Sequence, residues 1–150
     1  MGLQISHLHV RRSAFIAASP ERVWREFESY DSLCAWLNLG HAIETFEPKA
    51  GGTVRMSVVI DGQTHEYGGA IIVWEPAREL SFTSQWDGSF AWPQPTFWTI
   101  RLTALYDGTL VEILHHGFER FGPEAGEQLE SYESGWDNKH LVALRRIVES

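Results

Sequence analysis

Apolar and polar positions alternate along much of the chain, and the points where the alternation stops carry turn or cap residues. Residues 9–17 (HVRRSAFIA) are rich in strand formers and end at Ser19-Pro20-Glu21. Serine is a good N-cap and proline is tolerated at the first helical position, so the spacing predicts a helix from Pro20 to about Glu28. Val23, Trp24 and Phe27 form its apolar stripe. A second short helical piece holds Leu33, Trp36 and Leu37, and Gly51-Gly52 then opens a sheet.

Three hairpins can be registered from their turns. Asp61-Gly62 as a two-residue primed turn places Ile60 opposite Gln63, Val58 opposite His65 and Met56 opposite Tyr67. One face then collects Val54, Met56, Val58, His65 and Tyr67. A four-residue loop Glu75-Pro76-Ala77-Arg78 sets Val73 against Leu80, Ile71 against Phe82 and Tyr67 against Trp86. Asp107-Gly108 as a primed turn sets Ala104 against Val111, Leu102 against Ile113 and Ile100 against His115. The same alternate set is buried throughout, because a strand's side chains repeat every second residue. Outward positions include Ile72, Trp74 and Val59, and Glu112 can reach Arg101 diagonally.

After Gly122-Pro123, residues 124–148 read as one long helix with Leu129, Tyr132, Trp136, His140, Ala143 and Ile147 along one stripe, widened by Leu141, Leu144 and Val148. An antiparallel sheet with one apolar face and a helix with a broad apolar stripe bury both by packing together. The expected fold is α+β, with the long helix laid across the apolar face of the sheet and an element order of one strand, two short helices, six strands and the C-terminal helix.

Composition narrows the function. At 150 residues, without low-complexity tracts or internal repeats, residues 1–150 read as a single domain. Twenty acidic against twelve basic side chains give a formal charge of −8, which disfavours nucleic acid and anionic membrane surfaces. No segment approaches the ~20 apolar residues of a membrane span. Cys34 is the single cysteine and can form no internal disulfide, which points to a reducing, cytoplasmic setting. Spacing for a metal site is lacking: His115 and His116 are adjacent on a strand and face opposite ways, and His7 with His9 has no visible third ligand. Neither a nucleophile motif nor a glycine-rich phosphate loop occurs, and no cofactor is implied.

Particular residues carry a family resemblance. Ala18-Ser19-Pro20-Glu21-Arg22-Val23-Trp24, Trp36, Gly51-Gly52, the run Gly69 to Leu80 with Glu75-Pro76, Gly108-Thr109 to His115-His116-Gly117-Phe118, and Gly135-Trp136 follow one another in an order that resembles the START-like or SRPBCC superfamily. Within it, the chain is similar to the branch homologous to the activator of heat-shock-protein ATPase. The resemblance implies the helix-grip fold, a curved antiparallel sheet of six or seven strands wrapped around the long C-terminal helix, with two short helices after the first strand and a hydrophobic cavity between sheet and C-terminal helix. The sequence departs from the family pattern at Trp36-Leu37-Asn38-Leu39, His140 and Ala143, positions expected to line that cavity.

The expected function is binding of an apolar, aromatic or lipid-like small molecule. Met56, His65, Tyr67, Phe82, Trp86, Trp98 and His115 would line the cavity from the inward face of the sheet. Tyr132, Trp136 and His140 would face them from the helix. Core packing is the favoured reading of Met56 and Phe82, and a buried histidine satisfied by its surroundings is the competing reading of His115 and His140. The alternatives are a polyketide-cyclase or dehydratase-like enzyme, in which His115 or His140 moves a proton, and a partner protein like the branch's chaperone-ATPase activator. The segment Trp86 to Trp98, with five aromatics and two prolines, reads as a lid, a homodimer contact, or a loop folded back on its own core.

Overall fold

The computed structural model describes residue 5 and residues 7–88, 94–135 and 137–150. Strand β1 (Val10–Ile16) leads to α1 (Pro20–Trp24), a 3-10 turn over Arg25–Phe27, and α2 (Tyr30–Leu37). Six strands follow: β2 (Ala42–Phe46), β3 (Thr53–Ile60), β4 (Gln63–Glu75), β5 (Glu79–Trp86), β6 (Thr96–Leu105) and β7 (Gly108–His116). A 3-10 segment, Phe118–Glu124, then precedes α3 (Ala125–Gly135) and α4 (Lys139–Glu149). The strands form one seven-stranded sheet in the order β1-β7-β6-β5-β4-β3-β2, antiparallel throughout, so β1 returns to pair with the last strand. This is the helix-grip α+β architecture.

Local sequence explains the helix starts. Ser19 Oγ accepts from the Arg22 amide at 3.2 Å with Pro20 behind it, and Ser29 Oγ accepts from the Ser32 amide at 3.1 Å. Both satisfy amides that the first turn of a helix leaves unbonded. Trp24 stacks on Phe27 at 4.9 Å, and Phe27 meets Trp36 at 5.2 Å, whose indole nitrogen donates to the Glu26 carbonyl at 3.1 Å. These rings join Ile16, Leu80, Ile100 and Val111 in the core.

The first hairpin has the expected register, and Asp61 and Gly62 both take positive φ, as a type I′ turn requires. The second is corrected. Its loop has three residues, with Glu75 opposite Glu79 and Ala77 at φ +64°, and a bulge between Ile71 and Val73 absorbs the one-residue difference. Ile71 still faces Phe82 and Tyr67 still faces Trp86, but Trp74, not Val73, lies opposite Leu80. A one-residue slip moves side chains to the other face. Trp74 therefore turns inward to meet Trp24 at 5.0 Å and Phe46 at 6.4 Å, while Ile72 stays outside.

The third hairpin turns one residue earlier than expected. Tyr106 and Asp107 form the turn, Leu105 pairs with Gly108, and His115 lies opposite Trp98 instead of Ile100. The shift is by two positions, so the buried set is unchanged. Gly108 is needed in the strand, because a Cβ there would stand 2.4 Å from Phe15 Cζ and 2.5 Å from the Ile16 carbonyl oxygen. On the outward face Arg101 and Glu112 are direct neighbours but bond elsewhere, Arg101 to Glu79 at 2.8 Å and Glu112 to Arg11 at 2.7 Å.

The expected single helix over 124–148 is two helices. The Asp137 carboxylate accepts from the Lys139 amide at 2.9 Å, and the Asn138 carbonyl accepts the first α4 bond from Val142. Gly135, Asp137 and Asn138 are weak helix formers that favour such caps over propagation. Leu141, Leu144 and Val148 are the buried positions of α4, with Ala143 and Ile147 at its margin. No helix among the described residues is long and apolar enough to cross a membrane.

Candidate ligand site between the sheet and the C-terminal helices

The inner face of β4, β5, β6 and β7 carries a run of rings. Tyr67 lies 4.4 Å from Trp86 and 6.4 Å from Trp98; Trp98 lies 5.4 Å from Phe82 and 5.7 Å from His115. From the helical side Tyr132 meets the His115 ring edge-on at 4.6 Å and Phe118 at 5.4 Å. Met56 is buried opposite Tyr67. His65, half-buried, stands two residues nearer the turn, at the outer end of this face. Trp136 lies outside the described residues. So do Phe90 and Trp92 of the expected lid, while Trp86, Phe97 and Trp98 belong to strands.

Polar edges are threaded through these rings. Trp86 Nε1 donates to the Tyr132 hydroxyl at 2.9 Å. His115 Nε2 lies 2.8 Å from Thr96 Oγ1, and the Thr96 hydroxyl reaches the Ser84 carbonyl at 3.2 Å. Since Thr96 spends its proton on Ser84, its lone pair receives Nε2–H from His115, which sets that tautomer. Burial, with the neighbouring His116 adding to it, pushes His115 down to about 3. His115 is thus a neutral, hydrogen-bonded imidazole at physiological pH.

His140, at the start of α4, is half-buried with Nδ1 3.3 Å from the Trp36 carbonyl oxygen, an acceptor that fixes Nδ1–H as the donor. It faces His41, which the sequence reading missed. His41 Nδ1 lies 2.5 Å from the Tyr67 hydroxyl, with the two rings edge-on at 5.5 Å. Burial lowers the His41 pKa, helped by the charges of His140 and Lys139. Burial also lowers His140 and raises the Tyr67 and Tyr132 phenols. The only sequence signal for His41 was its place just after Gly40, ahead of a strand that no registered turn reached. Thr96 and Phe118 were likewise unmarked.

Behind His115, the adjacent His116 faces the other side of the sheet. Its Nε2 lies 2.8 Å from Thr99 Oγ1, Thr99 lies 2.9 Å from Ser81 Oγ, and Ser81 donates to Glu79 at 2.7 Å. Arg101 closes this buried ladder on Glu79. Among the described residues no group of three or more histidine, cysteine or carboxylate side chains is placed to hold a metal ion.

The family model described as Activator of Hsp90 ATPase homolog 1-like protein matches residues 17–149. The chain belongs to this family. The AHSA1-like domain is similar in structure to protein CV1439 from Chromobacterium violaceum, at 26% identity and TM-score 0.68 over 95% of this chain and 98% of that one. It shares its fold with a chain of the Aha1 dimer from Colwellia psychrerythraea, at 17% identity and TM-score 0.59 over 94% and 96% of the two chains. It also shares it with DynU16, encoded in the dynemicin biosynthetic locus, at 18% identity and TM-score 0.66 over 97% of this chain and 48% of that one. A search of curated proteins found no match to the AHSA1-like chain.

Proposed function

We propose that this AHSA1-like domain binds a neutral, apolar and aromatic small molecule between the inner face of the sheet and helices α3 and α4. One observation supports this above the others: His41, Tyr67, His115 and Tyr132 each stand ring against ring, and burial shifts all four, with His140, toward their uncharged forms. A site of that kind solvates flat apolar surface and offers a few hydrogen bonds, but gives no counter-charge to an ion. Met56, Phe82 and Trp98 would supply apolar wall; Trp86 and His65 would border it.

Native mass spectrometry of the protein as purified, followed by denaturing release, tests the reading. A reproducible co-purified neutral aromatic supports it. An empty protein whose tryptophan fluorescence ignores a panel of aromatic compounds counts against it.

The rival reading is a cyclase- or dehydratase-like enzyme using His115 or His140. Under that reading His115→Gln or His140→Gln abolishes turnover, whereas under ours it only weakens retention. A role as a chaperone-ATPase partner would show as stable association with such an ATPase in a pull-down. A homodimer, the state named for the Colwellia protein, is testable by sedimentation equilibrium.

A further inference from the structure

The two phenols of the site flank Trp86 and differ in what their protons can do. Tyr132 oxygen accepts from Trp86 Nε1, and an indole nitrogen only donates, so the Tyr132 hydrogen must go elsewhere. Among the described residues nothing accepts it. The Tyr67 proton depends on His41. In the Nε2–H tautomer of neutral His41, Nδ1 accepts and the phenol hydrogen is consumed over 2.5 Å. With His41 protonated on both nitrogens, Nδ1–H donates, the Tyr67 oxygen accepts, and the phenol hydrogen is free for another acceptor.

His140 and Lys139 from α4 and Tyr67 from β4 face His41, and Tyr132 from α3 acts on Tyr67. The groups acting on His41 include no carboxylate that would hold it charged. We propose that the ligand is a neutral aromatic bearing an acceptor oxygen, such as a ketone, held by the Tyr132 hydroxyl and, once His41 is protonated, by the Tyr67 hydroxyl as well. His41 is then a positioning residue that sets specificity for the oxygen. This inference rests on the ligand-binding reading above.

The sign follows from linkage. A ligand that prefers protonated His41 takes up a proton on binding, so its affinity is highest below the His41 titration and falls as pH rises through it. Burial, with His140 and Lys139 adding to it, places that titration below the ordinary imidazole value.

The test uses 2-acetylnaphthalene and 2-ethylnaphthalene, matched in shape and uncharged at every pH, in equilibrium dialysis against the full chain at pH 7.5 and 5.0. The ketone should bind more tightly at both, with its advantage growing as His41 takes up its proton, up to about fivefold, the ordinary net worth of one hydrogen bond. The hydrocarbon should show no such gain. His41→Phe should remove the pH-dependent part, and Tyr132→Phe the part present at pH 7.5. Equal binding of the two probes, or a pH-dependent gap that survives in His41→Phe, overturns the inference while leaving apolar binding intact. Failure of both probes to bind at either pH overturns the ligand-binding reading, and this inference with it.

Discussion

The Trp86 indole nitrogen donates to the Tyr132 hydroxyl across 2.9 Å, tying the last residue of β5 to the middle of α3. It links the sheet to a helix that otherwise contributes few apolar residues, since α3 reads AGEQLESYESG. Tyr132→Phe keeps the ring against His115 and Phe118 but leaves the indole N–H with one partner fewer. The expected loss is about 1 kcal/mol, at the low end because both residues are only half-buried. A urea midpoint shifted down with an unchanged slope is the expected result; an unshifted midpoint would show that the bond contributes nothing.

His115 and His116 make the fold sensitive to acid. Their folded pKa values lie at about 3 and about 4, below the ordinary imidazole value of 6.5. As pH falls below 6.5 the unfolded chain takes up protons that the native state refuses. Stability present above 6.5 is therefore lost progressively, by up to about 1.4 kcal/mol per pH unit for each histidine, until the folded values are reached. Urea midpoints between pH 7.5 and 4.5 should fall steeply, and His115→Gln should flatten the slope. A parallel slope in the variant would remove His115 as a cause.

The bulge in β4 gives two neighbouring residues opposite fates. Trp74→Ala should cost about 3 kcal/mol by opening the contact with Trp24 and Phe46. Ile72→Ala, at a position 43% exposed, should stay within about 0.5 kcal/mol. Thermal melts of the two variants check the pair, and equal losses would argue for the unbulged register.

Gly108 and Gly126 offer a second contrast. Gly108→Ala drives a methyl into Phe15 and the Ile16 carbonyl and should cost about 1–3 kcal/mol. Gly126→Ala, in the first turn of α3 with nothing within 4 Å, should be neutral or stabilising by up to about 1 kcal/mol. Denaturant titration separates the two, and a tolerated Gly108→Ala would mean that β1 can move away from the turn.

Much of the fold was legible because its signals are local. Ser19-Pro20 marks a helix start through a hydrogen bond made within three residues, and alternation placed Tyr67, Phe82, Ile100 and His115 on one face despite errors in two turns. The family resemblance agreed because it rests on the same turn and cap residues in order. The candidate site was only partly legible. Its strand-borne residues follow from parity, whereas His41 lies in a connection whose direction no periodicity sets.

The chain's own pattern thus determined the order of strands and N-terminal helices, the α+β class and most of the residues turned inward, since these follow from propensity and from a side-chain period of two. Tertiary structure alone decided that Trp74 faces in, that Gly108 belongs to a strand, that the C-terminal stretch forms two helices, Ala125–Gly135 and Lys139–Glu149, and that His41 meets Tyr67. Each of these depends on contacts between segments far apart in sequence, where a bulge, a close backbone approach or a capping side chain overrides the local preference.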